Sequence, residues 1–400
     1  MSTDDESVLG RRVQGLRERL GYSQDDLAGM VGFASRQTLS DLERGKRAVK
    51  ASELVRLARA LRVDVATLLA ANEKTQPRVL WREKPESGAE ILQADFLAWS
   101  ERYAHVKRVT ETSDGEWFSW PAATLRIRDA SYDDVEELAR QVGAQMELGA
   151  RPASSLQRSL ETRLGVMIWF LDLGEDGSAA CARGEFGSSI LVNRREAPWR
   201  QNFDMGHELF HLLTWDTTCG EIEQDPAVAI RAEKLANAFA AALLLPGEHV
   251  SAELNRCARK GSLELNDLVA LARDFDVSTS ALLWRLRTLG CGIDRDQIER
   301  LLGDPRFKRL DRAARTGTWG QCSPLPERFV WLAALACSRG RLSRTKLAEY
   351  LGCGLADLDA CLSEYGIAES ELGPAIEYSR AEDDLDVAGG ENAQAAVCLT

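Results

Sequence analysis

The chain has 400 residues, a formal net charge of −12 and 44% hydrophobic residues, which is enough for two to four domains with substantial cores. No apolar run reaches the roughly 18 residues of a membrane-spanning helix, and residues 1–6 are too acidic for a signal peptide. The nine cysteines include no C-x-x-C pair, which is typical of reduced thiols. These features exclude a membrane-spanning or disulfide-stabilised secreted protein, and we expect a cytoplasmic protein without a membrane partner.

Residues 8–71 have the pattern of a bundle of short helices. An amphipathic helix ends near Leu20, and Ser23 with Asp26 then predicts a capping box in which Asp replaces the usual Glu. A tight turn precedes a helix that Gly45 ends, and two further helices are predicted over residues 51–61 and 64–70. The S-Q-x-x-L-A and L-E-R-G-K-R motifs here resemble those of the xenobiotic-response-element family of helix-turn-helix domains, the lambda-repressor type.

That resemblance implies that residues 8–71 bind an operator in double-stranded DNA, with the helix after the turn in the major groove. Arg36 and Gln37 would specify bases, whereas basic side chains near Gly45 would contact phosphate. Residues 1–72 carry a net charge of +2 on an otherwise acidic chain, which is typical of a small DNA reader. A helix-turn-helix used only for protein contacts is the alternative. The candidate DNA-binding residues are Gln24, Ser35, Arg36, Gln37, Thr38, Ser40, Arg44, Lys46 and Arg47.

Residues 72–193 predict a linker, a helical segment and a group of short strands, in that order. Residues 72–90 predict a linker in which Trp81 docks on the body, and residues 91–150 predict a helical connector. Residues 164–193 predict two or three short strands. The last of them, residues 190–193, is apolar, and we expect its edge to hold a peptide as an added strand.

Residues 206–213 contain an H-E-x-x-H motif. His207 and His211 are one helical turn apart and therefore offer two imidazoles to one metal ion from the same face of a helix. Glu208 lies about 100° further around the helix, where it can act as the general base on a water at that metal. Only four histidines occur in the chain, so the motif is improbable by chance. A buried helix with two satisfied histidines is the structural alternative.

Catalytic zinc usually has three protein ligands, so two histidines are not sufficient. The next apolar helix opens with Glu233 and is stopped by Pro246, and Asn237 lies one turn after Glu233 on the same face. Glu233 is a candidate third ligand, and Asn237 is a candidate for orienting a ligand side chain. From spacing alone, a solvated carboxylate in the first helical turn fits Glu233 equally well.

Two motifs, the H-E-x-x-H of residues 207–211 and the E-x-x-A-N-x-F-A-x-x-L-L-x-P of residues 233–246, resemble those of the ImmA/IrrE-type metallo-endopeptidases. The resemblance covers about residues 150–290. Many members have Glu before the Ala of the second motif, where this chain has Leu235. The resemblance implies that Glu233 is the third ligand, that the cofactor is zinc with manganese as an alternative, and that Glu208 is the catalytic base of peptide hydrolysis. His249 is a candidate donor to the oxyanion. The matching residues are His207, Glu208, His211, Glu233, Ala236, Asn237, Phe239, Ala240, Leu243, Leu244 and Pro246.

The predicted fold is mainly α with a small β-sheet, an α+β class. The all-α helix-turn-helix, the linker and the connector precede a gluzincin-like metallopeptidase core in residues 151–292. A helical C-terminal domain follows in residues 293–378, and the acidic residues 379–400 predict a disordered tail.

These patterns together predict a DNA-binding transcriptional regulator whose zinc endopeptidase domain cleaves a regulatory protein. The resemblance implies that the substrate is a repressor, cut in response to stress or to mobile-element or phage induction. The cut falls either in a separate repressor or in the linker of the chain itself. We expect a homodimer, because helix-turn-helix proteins commonly match palindromic sites. The alternative is a non-proteolytic transcription factor that uses the peptidase fold as a sensor or as an antitoxin-like partner-binding module.

Overall fold

The computed structural model describes residues 3–63, 65–69, 77–110, 125–258, 264–313 and 325–367. Within them the prediction of a mainly α fold with one small sheet is confirmed, whereas the predicted tail at residues 379–400 lies outside the described residues. The strands are β1 Val79–Trp81, β2 Met167–Leu171, β3 Ala179–Gly184 and β4 Gly187–Asn193. The helices are α1 Thr3–Arg19, α2 Gln24–Val31, α3 Arg36–Glu43, α4 Ala51–Ala60, α5 Val65–Leu69, α6 Ala89–Val109, α7 Tyr132–Gln145, α8 Ala153–Arg163, α9 Pro198–Leu213, α10 Trp215–Gln224, α11 Pro226–Leu244, α12 Gly247–Ala258, α13 Leu265–Asp274, α14 Thr279–Thr288, α15 Arg295–Gly303, α16 Pro305–Ala313, α17 Glu327–Ser338, α18 Arg344–Leu351 and α19 Leu358–Glu364.

Helices α1 to α5 form a head around an apolar core of their own. The predicted capping box is confirmed, because Ser23 Oγ accepts from the Asp26 backbone N–H and the Asp26 carboxylate accepts from the Ser23 backbone N–H at 2.8 Å. Helix α3 is followed by Gly45 with a φ of +66°, as its predicted stop requires. A Cβ at Gly10 would lie 2.4 Å from the Leu42 carbonyl oxygen, so only glycine allows α1 to approach α3 this closely.

The four strands form one sheet in the order β1-β3-β4-β2. Strand β3 pairs antiparallel with both β1 and β4, and β2 pairs parallel with β4. Strand β4 is therefore internal. The expectation that residues 190–193 offer an edge to a peptide is wrong, because both sides of β4 are already hydrogen-bonded to other strands.

Part of the predicted linker is built into this sheet. Strand β1 is an edge strand of three residues whose Leu80 is paired with Cys181 of β3. The indole Nε1 of Trp81 donates to Gln93 on α6 at 3.1 Å. Residues 79–81 are therefore fixed by backbone pairing, which the linker-like composition of residues 72–90 did not reveal.

The sheet separates two apolar cores, because alternate residues of a strand point to opposite faces. On one face, Ile168 and Ile190 pack with helices α7 to α9, α11 and α13 to α16. On the other face, Trp169 and Leu191 pack with α6 and α17 to α19. The predicted connector, residues 91–150, is thus divided, since α6 lies with the C-terminal helices and α7 packs on α11. The described helices of the predicted C-terminal domain are divided in the same way, since α15 and α16 lie in the first core and α17 to α19 lie in the second.

Helices α9 and α11, which carry the predicted metal ligands, pack directly on each other. At their contact a Cβ on Gly206 would lie 3.4 Å from Ala240, so small residues allow the close approach. Helix α11 starts at Pro226, after Asp225, whose carboxylate caps the helix. Glu233 therefore lies two turns inside the helix, and its interpretation as a first-turn carboxylate is wrong.

The seven cysteines within the described ranges are free thiols. Cys181 is fully buried in the sheet, and the others are partly buried. Among all the described residues of the chain, no helix is long and apolar enough to cross a membrane.

Candidate metal centre and nucleic-acid interface

Three side chains from two helices converge at one point. The Nε2 atoms of His207 and His211, both on α9, are 3.1 Å apart. The Glu233 carboxylate of α11 contacts them at 3.1 and 3.3 Å. Both histidines are buried, whereas the Glu233 side chain is 42% exposed, so the cluster opens on the carboxylate side. The structure thus brings the three predicted ligands together.

This donor set fits a divalent cation. Burial lowers the pKa of His207 to about 4, which keeps the ring neutral and a nitrogen lone pair available. Burial raises the pKa of Glu233, but its close contacts with the two histidines, of which His211 can donate Nε2–H to the carboxylate, outweigh burial and hold the pKa below its usual value. Two facing ring nitrogens at 3.1 Å can share at most one proton. Two imidazoles and a carboxylate are ligands that zinc or manganese accepts.

Glu208 lies fully buried beside the cluster. Neither of its carboxylate oxygens has a hydrogen-bond partner of ordinary geometry within the described part of the chain. Burial raises the pKa of Glu208 to about 7, and the buried thiol of Cys181 on β3 lowers it to a smaller extent. A carboxylate near half-protonation at neutral pH is suited to both taking and returning a proton.

The remaining predicted residues of this centre occupy different places. Asn237 lies on α11 one turn after Glu233, and its Oδ1 is 3.1 Å from Nδ1 of His207. That contact is the one expected for a side chain that orients a ligand. His249 lies on α12, and the described hydrogen bonds and ion pairs of the three converging side chains do not include it.

Arg82, which sequence reasoning missed, extends from the end of β1 towards this centre. Its guanidinium pairs with the fully buried Asp204 of α9 and lies 3.4 Å from Asn237 Oδ1. Ser178 Oγ also donates to Asp204, at 3.0 Å. Arg82 and Asp204 are 122 positions apart, so no local motif signals their contact.

A cavity of about 990 Å³ reaches Asn237 and Arg82, next to the metal centre, but its lining does not include His207, Glu208, His211 or Glu233. Asn237 and Arg82 line it on the side of the cluster, and helices α7, α9, α11 and α14 form its walls. The lining combines aromatic and basic side chains: Phe203, Trp199, Trp284, Tyr132, Arg200, Lys234, Arg285 and Arg287. A segment of polypeptide fits a space of this size and position, because aromatic walls bind apolar side chains and N–H donors bind carbonyl oxygens.

The predicted DNA contacts lie on and around α3 in the head. Arg36 and Gln37 are exposed at its first turn, as base-reading side chains must be, and Gln37 donates to Asp41 at 3.0 Å. The amide of Gln24 is held within the head, since it donates to Glu43 at 2.6 Å and accepts from Arg36 at 3.1 Å.

The other predicted contacts of the head are partly engaged. Arg44 pairs with Asp41 at 3.0 Å, and Arg47 pairs with Glu53 at 2.6 Å. A phosphate contact of the predicted kind would require each arginine to exchange its carboxylate partner for the phosphate. Lys46 is exposed, Ser40 and Thr38 are partly exposed, and Ser35 Oγ lies 3.3 Å from Thr38 Oγ1.

Comparison with known proteins identifies two segments. Residues 13–68 match a helix-turn-helix family, and residues 161–287 match the IrrE N-terminal-like domain. The radiation response metalloprotease IrrE of Deinococcus deserti is 33% identical over 172 residues, which are 42% of this chain and 57% of that protein. A Mycobacterium tuberculosis transcriptional regulator aligns over 49% of this chain and 54% of its own, with 18% identity and a TM-score of 0.31.

The chain therefore joins a DNA-binding type of head to a domain of a metallopeptidase family. More particularly, the head is a helix-turn-helix of the xenobiotic-response-element type, and the second domain is of the IrrE/ImmA type. Both resemblances expected from the motifs are confirmed. The matched segment spans just over half the length of the curated relative.

Proposed function

We propose that this protein is a transcriptional regulator that binds an operator through residues 8–71 and hydrolyses a peptide bond of a regulatory protein at the His207-His211-Glu233 centre. One observation carries the proposal: the fully buried Glu208, whose carboxylate oxygens have no hydrogen-bond partner of ordinary geometry among the described residues, stands beside converging metal ligands in a chain with a helix-turn-helix head. A structural carboxylate would have its oxygens satisfied, because an unpaired buried charge is costly.

The residues divide the chemistry between them. His207, His211 and Glu233 would hold zinc, or alternatively manganese, and the bound ion supplies Lewis-acid activation of water and of the peptide carbonyl. Glu208 takes the proton of the attacking water at a carboxylate oxygen and returns it to the leaving nitrogen as the C–N bond breaks. Asn237 orients His207.

We place the substrate in a separate chain, a repressor, in preference to the protein's own linker. Residues 79–81 are paired in the sheet, and a protease needs an extended, unpaired segment. Residues 72–76 of the linker lie outside the described residues, so cleavage in cis at that point is the outcome that would contradict this choice. The head suits a homodimer in the cytoplasm, where operator DNA is accessible.

The experiment combines metal analysis with cleavage. Full-length protein should bind about one zinc or manganese ion per chain, and a Glu233→Ala variant should bind it more weakly. The metal-loaded protein should then cut peptides from a bacterial protein digest, detected as new termini by mass spectrometry, whereas Glu208→Gln should bind metal and DNA without cutting. DNA binding and metal binding without any cleavage would instead identify a non-proteolytic sensor or an antitoxin-like partner-binding protein.

A further inference from the structure

We propose that Arg82 is a positioning residue of the metal centre, which fixes the proton of His207 on Nδ1 by way of Asn237. The proposal rests on the proposed function only in taking the three-residue cluster as a metal site. Arg82 lies outside the segment of residues 161–287 that matches the metallopeptidase domain and within the segment that composition predicts as a linker.

Arg82 is held firmly enough to orient its neighbours. Its side chain is only 10% exposed, and one terminal nitrogen pairs with Asp204, which is fully buried. The guanidinium carbon lies 5.2 Å from the centre of the Phe203 ring, within the range of a cation–π contact. The other terminal nitrogen is 3.4 Å from Asn237 Oδ1. Asp204 and Phe203 both belong to α9, the helix that also carries His207.

The donor-only chemistry of arginine then decides the orientation of the Asn237 amide. A guanidinium has no acceptor, so the Asn237 atom that faces Arg82 must be the carbonyl oxygen. The same oxygen lies 3.1 Å from Nδ1 of His207, so Nδ1 must carry the proton and donate. In a neutral imidazole this leaves Nε2 as a lone pair, and Nε2 is the atom that faces Glu233 and His211.

The two histidines differ in whether Nδ1 has a hydrogen-bond partner. Nδ1 of His211 is buried without a hydrogen-bond partner in the part of the chain that the structure describes. A metal-bound histidine usually donates its outer N–H to a fixed acceptor, which sets its tautomer and its orientation. Among the described residues, Asn237 gives His207 such an acceptor and Nδ1 of His211 has none, and Arg82 holds the Asn237 acceptor in place.

Replacing Arg82 by Gln should release the Asn237 amide. The amide can then turn its NH2 group towards His207, which would accept at Nδ1 and move its proton to Nε2. Because Nε2–H cannot bind a cation, the affinity for zinc should fall about 10–100-fold, the usual loss when such an outer partner is removed. Arg82→Lys should retain most of the affinity, because an ammonium group is also a donor without an acceptor.

The test reads the tautomer directly. The chain has only four histidines, so ¹⁵N-histidine labelling gives four pairs of imidazole nitrogen signals, and His207 is assigned from a His207→Gln spectrum. Metal-free, full-length protein is compared at about pH 8, where unperturbed imidazoles are neutral. Zinc affinity is measured in parallel by competition with a chelating dye. The matched control is Arg200→Gln, which removes another cation that contacts Asp204 at 3.5 Å and lines the same cavity.

We expect the Nδ1–H form of His207 in the wild type and in Arg200→Gln, and a mixture with Nε2–H together with weaker zinc binding in Arg82→Gln. If Arg82→Gln fails to fold because Asp204 is left unpaired, the double variant Arg82→Gln/Asp204→Asn removes both charges and repeats the measurement. An unchanged tautomer in a folded Arg82 variant would overturn the proposal, as would an equal loss of zinc affinity in Arg200→Gln. Failure of the proposed function has a different signature, namely normal tautomer and metal binding without peptide cleavage.

Discussion

The head and the metal centre each bury a glutamate, but they treat it in opposite ways. The Glu43 carboxylate in the head accepts hydrogen bonds from Arg17 Nε at 2.6 Å, from Arg17 Nη2 at 3.3 Å and from Gln24 Nε2 at 2.6 Å. Glu208 in the core is equally inaccessible, and both its oxygens lack partners of ordinary geometry among the described residues. Buried polar groups that serve the fold are usually paired, so the difference between Glu43 and Glu208 supports the proposal that Glu208 is a catalytic base.

The largest expected effect is a loss of the peptide-cleavage rate when Glu208 is replaced. Glu208→Gln keeps the size of the side chain but removes its ability to accept a proton, and a general base typically contributes about 10²–10⁴-fold in rate. At neutral pH the variant should be at least as stable as the wild type, because burial raises the pKa of Glu208 to about 7 and the remaining buried charge costs free energy that the neutral amide avoids. Peptide cleavage and urea unfolding of the metal-loaded proteins test both points. Lower stability in Glu208→Gln would show that Glu208 is a structural residue after all.

The same isosteric change in the head should act in the opposite direction. Glu43→Gln leaves the buried guanidinium of Arg17 without its charge partner, which should destabilise the head by about 3 kcal/mol. Hydrogen exchange of the full-length protein, followed by mass spectrometry, should show faster exchange in α1 to α5 and unchanged exchange in α9 and α11. DNA affinity should fall while zinc affinity stays the same. Faster exchange throughout the chain would mean that the head and the core do not unfold independently.

A third carboxylate, Glu161, lies where α8 of one core meets α17 of the other, and it should make the free energy of unfolding depend on pH. Burial raises the pKa of Glu161 to about 7, against the charge of Arg328, and Glu327 raises it further. The folded state therefore holds a proton that the unfolded state loses near pH 4.5, so this contribution to stability is complete below that pH and is lost as pH rises to about 7.

Glu161→Gln should remove that slope, which we expect to amount to about 1–3 kcal/mol between pH 4.5 and pH 8. Urea unfolding at several pH values measures it, and Glu175→Gln, a change to an exposed loop carboxylate, is the control. An identical slope in the wild type and in Glu161→Gln would assign the pH dependence to other groups.

The smallest effect should separate two kinds of DNA contact within the head. Gln37→Ala should cost about 1–3 kcal/mol at the operator and almost nothing on random DNA, because a bidentate contact reads a base. Lys46→Ala should weaken both by a similar, smaller amount and lower the salt dependence of binding, because it removes one phosphate contact. Binding titrations on both DNAs over a range of salt concentrations distinguish them. A uniform loss in Gln37→Ala would make it a phosphate contact.

Local chemistry was predictable from the sequence wherever neighbours in the chain decide the structure. The capping box of Ser23 and Asp26 and the placement of His207 and His211 on one face follow from spacings of three and four residues. The start of α11 was not predicted, because its cap at Asp225 lies before the apolar run that marked the helix. Glu233 was consequently assigned to a first turn that it does not occupy.

Contacts between segments that are distant in the chain could not be predicted from the spacing of residues in the sequence. Strand β1 has only three residues, too few for an alternating pattern, and its pairing depends on a partner about a hundred positions away. Arg82 could not be recognised as part of the metal centre for the same reason, since Asp204 and Asn237 follow it by more than 120 residues. The two-sided packing of the sheet divides segments that the sequence shows as continuous.

Strand β1 also limits how proteins of this design can exchange parts. A recombination that replaced the head together with residues 72–90 would remove the outermost strand of the sheet and the arginine next to it. A new head would therefore have to be joined upstream of residue 77, and it would also have to replace the contacts of α6 with the present head, made by Ile91, Ala94 and the ion pair between Asp95 and Arg62. The boundary between the modules lies closer to the head than the composition of the linker suggests.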